Sequence, residues 1–118
     1  MVDEGTRQLK KFMDDEGLQG AFVATRSGSY VAGFVPEHMH KDTYVAMTAI
    51  IHGGAETLSM EMRAPMDHII VRLSSTTLLL VGLGPKAILA VVGTSHKFDA
   101  DTIQKAKDQA KALEKFFH

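Results

Sequence analysis

Cysteine is absent from the 118 residues, which excludes disulfides and thiol catalysis and fits a reducing compartment. Net charge is nearly absent as well. At −1 it removes any bulk electrostatic case for nucleic acid or an anionic membrane as partner. No apolar run approaches the roughly 20 residues that a membrane-spanning helix needs, so no membrane insertion is expected. The chain opens Met1-Val2-Asp3-Glu4 with no apolar stretch behind it, so no secretory signal is expected and a cytoplasmic location is. Low-complexity tracts, linkers and internal repeats are also missing, so residues 1–118 are expected to form one domain, long enough for a real core.

Signatures of chemistry are scarce too. Gly82-Leu83-Gly84 lacks the following Gly-Lys-Ser/Thr of a phosphate loop and reads as a hairpin turn. Six histidines raise the question of a metal. His38 and His40 lie two apart in a loop and His52 precedes Glu56 by one helical turn, but no four-ligand set closes around them. His52 and Glu56 have the spacing of an acid–base pair. Without a nucleophile nearby, a hydrogen bond on a helix surface is the expectation. No Ser-His-Asp arrangement has a supporting motif. The expectation is therefore a protein without an active site, cofactor or metal of its own.

What is present is a long uninterrupted stretch, Lys41 to Arg63, which reads as a helix. At 3.6 residues per turn it divides into three stripes. Tyr44, Met47, Ile51, Gly54, Ala55, Leu58 and Met62 form a bulky stripe suited to a sheet. Thr48, His52, Glu56, Ser59 and Arg63 form a polar stripe. Ala46, Ala49, Gly53 and Met60 form a small, mostly apolar stripe roughly opposite the first. An ordinary surface helix has a single apolar stripe, whereas this one has two surfaces to cover. Two readings follow: a central helix buried inside a monomer, or a helix that meets another molecule's backbone along its small stripe. Gly53 and Gly54 together cost about 2 kcal/mol of helix propensity relative to alanine, which close packing would offset.

The other elements follow from periodicity and punctuation. Residues 3–16 form a helix capped by Asp3, with Leu9, Phe12, Met13 and Val2 as its apolar stripe and Gly17 as its stop. Ala21–Thr25 and Tyr30–Val35 form a hairpin across the turn Arg26-Ser27-Gly28-Ser29. Asp42 is the expected cap of the long helix, and Ala64-Pro65 ends it. His68–Leu73 alternates, with Ile69, Val71 and Leu73 on one side and His68, Ile70 and Arg72 on the other. Thr77–Val81 and Lys86–Val92 are apolar on both faces, as strands covered on both sides are. Asp99 caps a last helix over about 100–116, with Ile103, Ala106, Ala110, Leu113 and Phe117 as its apolar stripe. The order is α-β-β-α-β-β-β-α. A five-stranded antiparallel sheet with helices on both faces buries every apolar surface named.

The run Gly20-Ala21-Phe22-Val23-Ala24-Thr25-Arg26-Ser27-Gly28-Ser29-Tyr30-Val31-Ala32-Gly33, the alanine-rich long helix and the closing strand Ala87-Ile88-Leu89-Ala90-Val91-Val92 carry a resemblance. The chain resembles roadblock-type domains, the family of the dynein roadblock light chain, the Ragulator subunits and a bacterial polarity regulator of a Ras-like GTPase, and it looks like a stand-alone prokaryotic member. The resemblance covers nearly the whole chain. It implies a three-layer α/β fold, with the long helix on one face of the sheet and the first and last helices on the other. It implies a homodimer formed by two long helices and two edge strands, which assigns Ala46, Ala49, Gly53, Met60, His68, Ile70 and Arg72 to the interface. It further implies a non-enzymatic module that binds and regulates a small Ras-like GTPase or acts as a scaffold. Arg26, Arg63 and Arg72 are the candidates expected to be exposed for an arginine finger, and none lies in a recognisable loop. Beside the dimer axis the polar stripe would offer His52, Glu56 and Arg63 to the partner. The alternative is a small-molecule sensor, which an apolar cavity lined by Met47, Leu58 and Met62 would favour.

Overall fold

The computed structural model describes residues 3–95 and 97–117. The first helix, α1, is Glu4–Asp15, and the Asp3 carboxylate accepts the Thr6 N–H at 2.8 Å. Its stripe buries Leu9 and Phe12, while Val2 lies outside the described residues. Gly17, at φ 64°, turns the chain into the hairpin of β1, Gly20–Thr25, and β2, Tyr30–Phe34. The long helix α2 is Lys41–Glu61, two residues shorter than its pattern allows. Its N-cap is His40, with no side-chain cap, so Asp42 is not the cap. Asp42 falls instead in the first turn, where its charge still complements the helix dipole.

Three strands follow: β3, Ile69–Arg72; β4, Thr76–Leu83; and β5, Ala87–Thr94. β4 outruns expectation because Gly82 and Leu83 pair with Ile88 and Ala87 instead of turning, and β5 starts one residue later than expected but runs on through Gly93 and Thr94, which pair with Thr77 and Thr76. The reversal is compressed into Gly84-Pro85-Lys86, with Gly84 at φ 63°. Helix α3, Ala100–Leu113, starts at Asp99, whose side chain accepts the Thr102 N–H at 2.8 Å.

The strands form one antiparallel sheet in the order β2-β1-β5-β4-β3. Alternation along each strand sends side chains to two separate cores. Ala21, Val23, Leu79, Val81, Leu89 and Val91 meet Leu9 and Phe12 of α1 and Ala106, Ala110 and Leu113 of α3. Phe22, Ala24, Leu78, Leu80, Ile88 and Ala90 meet α2 through Val45. The expected fold class and layer order are thus the observed ones.

The two sheet edges differ. At β2 the pairing slips between Val23 and Ala24, Gly33 sits at φ 123°, and the Tyr30 hydroxyl donates to the Gly33 carbonyl at 2.8 Å. A twisted edge with a side chain folded across it is a poor template for another strand. Among the described residues β3, at the opposite edge, pairs only with β4. Its outer backbone row is left open. Two backbones also approach closely at Gly33, since a Cβ there would stand 2.5 Å from the Ala21 carbonyl oxygen and from the Phe22 Cα. Strain and overpacking each cost of order 1–3 kcal/mol. Gly33→Val should therefore lower stability by more than about 2 kcal/mol, read as a fall in the urea midpoint. An unchanged midpoint would refute this account of the edge.

Candidate functional site

Helix α2 lies on the sheet in a different rotation from the one its stripes predict. The inward line is Val45, Thr48 and His52, spaced three and four apart. Thr48 and His52 are each 1% exposed, whereas Ile50 is 64% and Leu58 59% exposed. Met47 and Met62 are exposed too, while Tyr44 and Ile51 are half-buried at the flank. The bulky stripe therefore faces largely outward, and the polar stripe inward, opposite to expectation.

The physical reason lies in long-range partners. Arg26, on the β1–β2 turn, forms an ion pair with Glu56, thirty residues on, and its guanidinium also donates to the Gly84 carbonyl at 2.9 Å. One side chain so ties α2 to the turns at one end of the sheet. The small flank of α2 belongs to the same end. A Cβ at Gly28 would stand 3.7 Å from Ala46 Cα and from Ala49 Cβ. Ala46 and Ala49 thus pack over their own hairpin turn and are not an outward seam. Gly53 and Met60 are exposed, and a Cβ at Gly53 or Gly54 would meet nothing within 4 Å.

The other designated residues divide similarly. His52 is buried and inaccessible to a partner, and Glu56 is engaged by Arg26, so the expected His52–Glu56 hydrogen bond does not form. Arg63 is exposed and stands at φ 55°. There the Ala64 N–H reaches the Ser59 carbonyl at 3.0 Å and the Arg63 N–H reaches that of Met60 at 3.2 Å, a Schellman ending usually built with glycine. Arg26 is half-buried and not free. Arg72 donates to the Ser95 and Phe98 carbonyls at 3.1 Å each, which turns it toward α3. Ile70 packs into the α1–α3 core and His68 pairs with Asp67 at 2.6 Å. On the β3 edge it is the backbone, rather than these side chains, that remains open. Sequence reasoning missed Val45 and Ile50, which fall on none of the three stripes, yet Val45 is the apolar anchor of α2 and Ile50 one of its most exposed residues.

Beneath the helix, three buried polar atoms have no hydrogen-bond partner among the described residues: Arg26 Nε, Thr48 Oγ1 and His52 Nε2. Burial holds the His52 imidazole below its ordinary value of 6.5; the Arg26 charge adds to this and Glu56 opposes it. No group of three His, Cys, Asp or Glu with metal-binding geometry occurs among the described residues. Between the α2 flank and β3–β4 lies an open apolar cavity of about 430 Å³, walled by Tyr44, Met47, Ile51, Val71, Leu73 and Leu78. Leu58 and Met62 are not in its wall and border a separate shallow pocket beside Pro65, Ile69 and Ile70. Both recesses lie along the same flank, between α2 and the open sheet edge. No described helix is long and apolar enough to cross a membrane.

A sheet covered by two helices on one face, and on the other by one helix with an apolar outer surface, defines a class of three-layer interaction module. The chain belongs to the Roadblock/LC7 domain family, whose model matches residues 5–93. Among solved structures it is similar to MglB of Myxococcus xanthus, with 12% identity, 98% of this chain and 96% of that one covered, and a TM-score of 0.86. The gliding protein MglB of Thermus thermophilus is similar at 15% identity, with 98% and 92% covered and a TM-score of 0.79. A Roadblock/LC7 domain of Streptomyces avermitilis follows at 14% identity, with 94% and 95% covered and a TM-score of 0.80. At these identities the likeness is one of fold. No curated protein matches the chain by sequence.

The orphaned hydroxyl gives a clean test of the helix rotation. Thr48→Val keeps the shape and removes a buried group without a partner, so stability should stay level or rise by up to about 1 kcal/mol in urea unfolding. A loss of that size or more would mean that the Thr48 hydroxyl is satisfied and α2 sits otherwise.

Proposed function

We propose that this chain is a non-enzymatic, single-domain homodimeric module that binds a small Ras-like GTPase. The observation that carries the reading is the outer face of α2. Met47, Ile50, Gly54 and Leu58 recur at three- and four-residue intervals and stand in solvent. Placing such a row in water forgoes roughly 1.5–3 kcal/mol per large side chain that full burial would contribute. A second copy covers it by symmetry: two antiparallel α2 helices crossing near Gly54 oppose each Leu58 to the other's Ile50 and Ile51. The glycines allow close approach, and the β3 edges continue the sheet. Of the residues first assigned to the interface, Gly53 stays beside this crossing, and the β3 backbone from His68 to Arg72 supplies the strand contact. The apolar cavity runs into the same flank, so its open wall belongs to this interface, and the sensor reading gains no independent support from it.

Gly54→Leu separates interface from fold. Nothing within 4 Å obstructs the new side chain in the single chain, and helix propensity improves by about 1 kcal/mol. The variant should melt no lower than wild type as a monomer and should sediment as a monomer where wild type sediments as a dimer. A dimeric variant would place the interface elsewhere.

For the partner, Arg63 is the residue of choice. It is exposed at the C-terminal end of α2, in a left-handed conformation that costs an arginine roughly 1 kcal/mol more than glycine. Arginine is also a favoured interface anchor. Arg63→Gly should leave stability equal or higher while weakening GTPase binding at least tenfold. The assay is capture by immobilised dimer from lysate loaded with a GTP analogue or GDP, with retained proteins identified. Retention of no Ras-like GTPase in either nucleotide state would overturn the partner assignment.

A further inference from the structure

His52 is a histidine fixed beneath a helix that carries the proposed interface on its other side, so this inference rests in part on the dimer reading. Among the described residues the titratable groups around the underside of α2 are few, and Lys41, at the start of the helix, holds its ammonium 4.3 Å from the Tyr30 ring centroid. The β1–β2 turn contributes Arg26, and the helix itself contributes Glu56. Tyr30 of β2 and Tyr44 of α2 contribute phenols that burial pushes upward, so they stay neutral near pH 7. The remaining sheet face is apolar: Phe22 and Ala24 of β1, Leu78 and Leu80 of β4, and Ile88 and Ala90 of β5. His40, at the helix start, and Lys86, on the β4–β5 turn, are exposed to water.

This arrangement has one anion for two potential cations. Glu56 is already engaged by Arg26, and Arg26 Nε and His52 Nε2 are both buried without partners. An imidazolium at position 52 would be desolvated with its Nε2–H unpaired, in the field of a guanidinium whose counter-ion is taken. We propose that His52 is a pH-sensitive latch: its protonation loosens α2 from the sheet and thereby weakens the dimer that α2 carries. In the unfolded chain the imidazole takes up its proton near 6.5, and in the folded chain only at lower pH. The stabilisation is therefore complete above about 6.5 and is lost as pH falls through the folded value.

The test measures urea unfolding of wild type, His52→Gln and His40→Gln between pH 7.5 and 5.0, with sedimentation in parallel. The wild-type unfolding constant should rise several-fold as pH falls, His40→Gln should follow it, and His52→Gln should show a much shallower dependence. Equal slopes for wild type and His52→Gln would overturn the latch. Should His52→Gln fail to fold, the ring proton of His52 in wild type, followed by NMR, decides. A midpoint below the ordinary 6.5 supports the latch, and one at or above it overturns it. A wild type that sediments as a monomer at every pH contradicts the dimer reading, and the unfolding slopes and the ring titration still judge the latch on α2 itself.

Discussion

The rotation of α2 about its own axis is the constraint on which the rest depends. A 21-residue helix with apolar residues on most sides has no single preferred face. Arg26 removes the ambiguity by holding Glu56 from the helix and the Gly84 carbonyl from the far turn with one guanidinium. The pair is partly exposed, so its direct contribution to stability is modest. Its consequence is geometric. Glu56 continues the line of Val45, Thr48 and His52, which face the sheet, while Met47, Ile50 and Leu58 face away from it.

That choice places unlike surfaces back to back on one helix. The inner line packs closely on Phe22, Ala24, Ile88 and Ala90 but includes a hydroxyl and an imidazole without partners. The outer line is apolar and uncovered. Stability of the single chain is thus drawn mostly from the opposite layer, where α1 and α3 bury Leu9, Phe12, Ala106, Ala110 and Leu113. The two sheet edges repeat the asymmetry. Tyr30 and Gly33 close the β2 edge, and among the described residues no strand pairs with the β3 edge beside the apolar flank of α2.

Much of this was legible in the sequence because it is encoded locally. Asp3 and Asp99 as caps, Gly17 as a stop and the two-residue alternation of the strands depend on neighbours within a few positions. The rotation of α2 was not legible, because it depends on Arg26 meeting Glu56 thirty residues away. A row of Thr, His and Glu on a helix reads as solvated until a distant arginine turns it inward. Val45 carried the available signal, as the β-branched residue in line with Thr48 and His52. Arg72 misleads in the same way, since the carbonyls it binds lie more than twenty residues on.

The claim that a second copy covers the outer face of α2 can be put to a direct measurement, because the chain contains no cysteine of its own. A single cysteine at position 54 places one thiol beside the proposed crossing of the two helices. A disulfide there requires Cα atoms within about 4.4–6.8 Å of each other. Under mild oxidation Gly54→Cys should convert almost completely to a covalent dimer, while Lys111→Cys, on the α3 face, should stay monomeric. Equal cross-linking of both, or none at position 54, would contradict the account.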